Sequence, residues 1–223
     1  MQQGGDQSAR AVGEALARAY PDARCELLAR DPWELLVAAI LSARSTDFQV
    51  NRVMAVLNEH YVGPAAFAAL DHRDLERAVR HVPLFRQKAR AIVEAARAVV
   101  RLHGGRVPDG LGQLGNLPGV GRKTAAVVLG NAFGIPAIAA DVHVQRVAHR
   151  LGWSPAEHPA QAEAALAARF PPQQWVRLCH QIIRLGRDCC RRIKPRCARC
   201  PLAAFCPRQG VVDGEQRPAR QRP

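Results

Sequence analysis

Lys123 follows a tight glycine turn, Gly119-Val120-Gly121, within the stretch LPGVGRKTAAVVLG, and stands at the mouth of an apolar helix. Paired glycines open backbone conformations closed to other residues and let the main chain approach a partner closely. The first peptide N–H groups of the helix lack internal partners and lie at the positive end of its dipole, so the turn is suited to hold a phosphate oxygen. Contacts from the backbone of Gly119, Val120 and Gly121, and from Arg122 and Thr124, would position a DNA strand without reading its sequence. A helix-hairpin-helix contact to DNA is therefore the preferred reading, with a plain structural turn as the alternative. For the amine two roles stay open. The dipole and Arg122 oppose a positive charge on Lys123, and a neutral amine is a nucleophile; a charged one is a phosphate anchor.

A carboxylate follows in AADVHVQRVAHRLGW, where Asp141 opens a helix whose apolar face is Val144, Val147, Ala148 and Leu151. Asp is a favoured helix cap, which is a sufficient structural reason for its presence. The cap and a chemical role are compatible. A fixed carboxylate facing a sugar could accept a proton and stabilise positive charge developing there.

The third constellation is CRRIKPRCARCPLAAFC, which spaces Cys190, Cys197, Cys200 and Cys206 as C-x6-C-x2-C-x5-C. Four thiolates in so short a segment can surround one metal centre, and both zinc and a four-iron, four-sulfur cluster accept that donor set. Around them Arg187, Arg191, Arg192, Lys194, Arg196, Arg199 and Arg208 face a single acid, Asp188. These cations suit docking on a phosphate backbone, Lys194 and Arg196 among them, and they also offset thiolate charge. Cys189 reads as spare, and Cys25 and Cys179 as ordinary buried thiols.

These groups must be positioned by helices. Apolar residues recur at three- and four-residue spacing over 11–20, 32–43, 47–60, 73–80, 86–103, 121–133, 142–151, 160–170 and 173–187, and no segment alternates like a strand, which predicts an all-α fold. In 86–103 one stripe joins Ala89, Ile92, Val93, Ala96, Val99 and Val100, and Gly104 ends it. The 223 residues, 48% of them hydrophobic, suffice for a packed core. Lys plus Arg number 32 against 19 acids, and the net charge of +13 points to a polyanionic partner such as nucleic acid. Only three of those cations are lysines, Lys88, Lys123 and Lys194, so a lysine here carries information. No apolar run approaches the roughly 18 residues of a membrane span, and the N-terminal residues lack an apolar signal core, so a cytoplasmic, nucleoid-associated protein is expected. The first several residues and a basic tail over 210–223 are expected to be disordered.

LPGVGRKTA, AADVH and the four-cysteine spacing, in this order and over about residues 30–207, resemble the endonuclease III family, bifunctional DNA glycosylases and AP lyases of the helix-hairpin-helix superfamily. The resemblance implies two lobes: a helical barrel over 26–135 carrying the hairpin, and a discontinuous cluster lobe formed by 1–25 with 136–209. It selects the four-iron, four-sulfur cluster over zinc. It makes Lys123 the nucleophile and Asp141 its partner, and implies a monomer acting on double-stranded DNA with damaged pyrimidines or abasic sites. In the family two loops fill the gap left by a flipped base, and their positions here hold Arg44, where glutamine is common, and Leu84, preceded by Pro83 in place of glycine. Ala126, Val142 and Leu185 stand where asparagine, threonine and histidine are frequent. Two rival readings are a non-catalytic DNA-binding protein and a mismatch-specific monofunctional glycosylase; the latter lacks the hairpin lysine.

Overall fold

The computed structural model describes residues 3–211, with side chains from residue 8 onward. Among them every regular element is helical, as the spacing predicts. The chain divides into two compact units, one running from Cys25 to Ala139 and the other joining the residues up to Arg24 with those from Ala140 on.

The Cys25–Ala139 unit is built around α2 (Pro32–Leu41), in which every residue from Trp33 to Leu41 is buried. A helix apolar on all sides has to be enclosed, and α3 (Asp47–His60), α6 (Phe85–His103) and α8 (Arg122–Ala132) pack on it. Asp31 caps α2 by accepting the Glu34 N–H at 2.9 Å, and Pro32 occupies its first position. The stripe of α6 is buried as expected except at Val100, which is 40% exposed at the stripe's edge. Two short helices escape sequence reading, α4 (Gly63–Ala68) and α7 (Leu111–Gly115). Their five or six residues are too few to display a periodicity, and glycine lowers their intrinsic helicity. α4 and α5 (His72–Ala78) pack on α6, and α7 packs on α8 to complete the hairpin. The helix expected to reach Ala43 stops at Leu41, because the chain turns there into a left-handed residue, Arg44.

In the other unit α1 (Gln3–Ala19) packs on α11 (Trp175–Asp188), and α9 (Val142–Arg150) packs on α10 (Pro159–Ala167) and α11. Ala9, Val12, Ala15 and Leu16 bury one face of α1. The helix begins at Gln3 rather than near Ala11, correcting the expectation of a disordered start: once its apolar face is docked, extending a helix adds one bond per residue fixed. Residues 212–223, most of the expected tail, lie outside the described residues.

Candidate active site

The hairpin is set by close packing on its inner side. Gly119 has φ +74°, and a Cβ there would lie 2.6 Å from Cβ of Ala91 on α6, so both conformation and space demand glycine. Leu117 and Val120 are buried beside it, and the Val120 N–H donates to the Leu117 carbonyl at 3.1 Å. The Val120 side chain thus anchors the turn, and its N–H closes the turn on Leu117. Gly121, the N-cap of α8, is different: a Cβ there would meet nothing within 4 Å. The outer side of the turn is bare. Arg122 and Lys123 open α8 with exposed side chains, followed by half-buried Thr124 and the buried pair Ala125 and Ala126. The inward face fixes the helix and leaves the amine outside.

Asp141 is the N-cap of α9. One carboxylate oxygen, Oδ1, accepts the His143 N–H at 2.8 Å and the Val144 N–H at 3.0 Å, so the cap read from the sequence is present. His143 is fixed beside it, with Nδ1 3.0 Å from Nη2 of Arg146. A guanidinium only donates, so Nδ1 accepts and the imidazole is neutral. Burial lowers the His143 pKa, Arg146 and Arg187 add to that, and Asp141 opposes it. Gly186 on α11 makes room for this ring, since a Cβ there would approach Nδ1 to 2.6 Å. The departures fit their places: Val142 is exposed and Leu185 is buried in the helical core.

Cys190, Cys197, Cys200 and Cys206 line one small pocket, together with Cys189, Arg150 and Pro195. Among the described residues no three His, Cys, Asp or Glu side chains are arranged to hold a metal ion. Burial pushes the Cys200 thiol up to about 12, with neighbouring Cys189 adding to the shift, and burial also raises Cys189 and Cys206. A bound cation would favour the thiolate form of such thiols and release their protons to solvent. Cys189, which sequence reasoning set aside, lines the pocket too, though its thiol donates to the Arg196 carbonyl at 3.1 Å.

Two residues that sequence reasoning missed hold this loop. Arg150, buried on α9, donates to Cys190 Sγ at 3.3 Å and to the Arg191 and Arg192 carbonyls at 2.7 and 3.2 Å. Arg146, buried one turn earlier, donates to the Cys190 and Gly186 carbonyls at 2.9 and 3.0 Å. Arginines four apart on a helix with a buried face were the available signal. Lys194 and Arg196 lie on the same loop with exposed side chains, and Lys194 has φ +50°.

Arg44 and Leu84 are both exposed, on separate loops of the Cys25–Ala139 unit, and both are left-handed, with φ +60° and +61°. The lysine hairpin and these loops therefore share one unit, while Asp141 and Cys190, Cys197, Cys200 and Cys206 belong to the other.

A model of the HhH-GPD superfamily of base excision DNA repair proteins matches residues 37–172. Endonuclease III of Bacillus subtilis is 41% identical over 190 residues, covering 84% of this chain and 86% of that one. The chain belongs to the endonuclease III family. The Escherichia coli K12 endonuclease III is 38% identical over 193 residues, 86% of this chain and 92% of its own. A solved structure of a trapped covalent intermediate between an endonuclease III and DNA superposes with a TM-score of 0.87 at 40% identity, covering 91% of this chain and 96% of that one. A thermostable thymine-DNA glycosylase superposes at a TM-score of 0.79 with 23% identity over 90% of this chain and 96% of its own, and shares the fold. As an endonuclease III family member the chain is a base-excision-repair DNA glycosylase and AP lyase.

Proposed function

We propose that Lys123 is the nucleophile of this enzyme and that Asp141 is its carboxylate partner. The observation that carries the reading is the hairpin: an exposed amine in the first turn of α8, beside a glycine turn packed tight within and bare without. In the proposed reaction the Lys123 amine forms a bond to C1′ of a damaged nucleotide. The bond from C1′ to the base breaks and the base departs with a proton. Asp141, held at Oδ1 by two backbone N–H groups, steadies the cationic sugar with its other oxygen. The bound amine loses a proton, the C1′–O4′ bond then breaks with O4′ taking up a proton, and the iminium so formed on Lys123 makes the C2′ hydrogen acidic. Loss of that proton breaks the C3′–O bond and expels the 3′ phosphate, so the strand is nicked 3′ to the abasic site. Unstacking the target base costs a few kcal/mol, least for lesions that pair poorly.

The substrate in this reading is double-stranded DNA carrying damaged pyrimidines or abasic sites, bound by a monomer in the cytoplasm at the nucleoid. The backbone of Gly119, Val120 and Gly121, with Arg122 and Thr124, grips phosphate, Arg44 and Leu84 fill the gap left by the flipped base, and Lys194 and Arg196 hold the backbone further along. No helix among the described residues is long and apolar enough to cross a membrane. The Cys25–Ala139 unit takes the part of the helical barrel and the other unit that of the cluster lobe. Cys190, Cys197, Cys200 and Cys206 would hold a four-iron, four-sulfur cluster, which suits four thiols around one pocket with an arginine donating to a sulfur. Bound there, the cluster supplies a rigid centre for the basic loop rather than electrons for the lyase chemistry.

The test is borohydride trapping on a duplex with one abasic site. The wild type should give a covalent adduct, and Lys123→Gln should give none while still binding the duplex. An undiminished adduct in Lys123→Gln would overturn the assignment.

A further inference from the structure

Lys88 is the one lysine of three that neither the hairpin nor the cysteine loop uses. It lies in the first turn of α6 and is 5% exposed. Lysine is almost never so buried unless its charge is satisfied, since desolvating an ammonium costs several kcal/mol. Its side chain donates to the Leu41 carbonyl at 2.7 Å, the Ala43 carbonyl at 2.5 Å and the Ser45 hydroxyl at 3.3 Å. Three bonds use every donor an ammonium has. Ala43 and Ser45 flank Arg44, and Leu41 ends the helix that leads into its loop.

The main chain of the same residue faces the other loop, for the Lys88 N–H donates to the Leu84 carbonyl at 3.1 Å. A second tie runs from the first turn of α3, just after the Arg44 loop, where the Gln49 side-chain amide donates to the His81 carbonyl. Each loop holds a non-glycine residue in the left-handed region, a strained conformation that persists only when its surroundings over-determine it. For Arg44 those surroundings are the carbonyls that Lys88 clasps on its N-terminal side.

We infer that Lys88 is a positioning residue that locks the Arg44 and Leu84 loops into one two-pronged wedge, and so governs how fast a paired base is evicted and which opposite base is tolerated. The inference rests on the reading of Arg44 and Leu84 as the residues that fill the gap. Evicting a base from a duplex needs both prongs held in register, whereas an abasic site offers no base to evict. The effect of Lys88 therefore separates by substrate.

The experiment compares wild type with Lys88→Met, in single turnover, on one damaged pyrimidine set opposite each of the four bases and on a preformed abasic site. Displacing the wedge should slow base release about tenfold or more and flatten its dependence on the opposite base, with the lyase step on the abasic site changed by less than about threefold. In an Arg44→Ala background Lys88→Met should have little further effect on base release, because the side-chain bonds that Met removes all go to the Arg44 loop, while the main-chain bond to Leu84 stays. Equal losses on both substrates, or full additivity with Arg44→Ala, would overturn the inference. Should Lys88→Met not fold, the double variant Ser45→Ala/Gln49→Ala loosens the same ties while leaving the ammonium in place. It must lower the ratio of base release to lyase rate, and an unchanged ratio overturns the inference equally. A wild type that neither releases the base nor forms an adduct would instead refute the lysine chemistry of Lys123, so the two failures are distinguishable.

Discussion

The two units hold their chemical groups by different physics. In the Cys25–Ala139 unit Lys123 is placed by apolar contact: Gly119 against Ala91, with Leu117 and Val120 buried below the turn. In the other unit Asp141 and the cysteine loop are placed by hydrogen bonds, from the Oδ1 cap to the two buried arginines of α9 that bind Cys190 and its neighbours. Apolar packing leaves the amine at the surface with its own side chain uncommitted to the fold. A polar network instead commits the carboxylate to one direction, and runs from it along a single nine-residue helix to the sulfur pocket. The first arrangement is sensitive to volume, the second to unsatisfied donors and acceptors.

That contrast can be broken in graded ways. Arg150→Met keeps the volume but strands the Arg191 and Arg192 carbonyls, and should cost about 3 kcal/mol in denaturant unfolding. A loss below about 1 kcal/mol would mean that the cysteine loop stands without its arginine. Asp141→Asn retains a good cap, so its unfolding midpoint should hardly move, yet base release should fall about 100-fold. If binding and release fell together, Asp141 would be a cap and nothing more. Gly119→Ala should destabilise by about 2 kcal/mol, because a methyl meets Ala91 and φ is left-handed, whereas Gly121→Ala meets nothing and should cost under about 1 kcal/mol, the loss of a favoured N-cap residue. The pair sharpens the distinction between the turn's packed and bare sides, and equal effects on melting would erase it.

The smallest effect concerns pH. Glu34, buried in the first turn of α2, accepts the Arg30 N–H at 2.8 Å and its guanidinium Nε at 2.7 Å. Burial works to raise its pKa, but the hydrogen bonds and charge of Arg30 outweigh it and hold the carboxyl below its ordinary 4.5. Its stabilisation is therefore present above pH 4.5 and fades as pH falls through the lowered value. Glu34→Gln should lose about 1 kcal/mol at neutral pH and show a flatter acid limb in unfolding measured from pH 7 to pH 3.

The hairpin and the cap were legible because their causes are local: glycine before a helix and aspartate at its start have short-range reasons to be there. α7, the other half of the hairpin, was not, for five residues with two glycines carry no periodicity. Arg146, Arg150 and Lys88 were harder still. Each is a cation on a buried helix face, and what makes its burial tolerable is a set of carbonyls 40 or more positions away in the chain. A local pattern reads them as solvated charges. Lys88 did leave a trace, lying four residues before Ile92 on the buried stripe of α6. Arg44 and Leu84 gave no sign of left-handed backbone, since neither residue type favours it.

The central claim is that one amine, that of Lys123, bonds to the deoxyribose. Trapping the wild type on an abasic duplex with borohydride, digesting with trypsin and sequencing the modified peptide by mass spectrometry tests it most directly. The account predicts the reduced sugar on the peptide that begins at Lys123, with cleavage at that lysine blocked. Finding it on Lys88, Lys194 or the N-terminal amine would contradict the account.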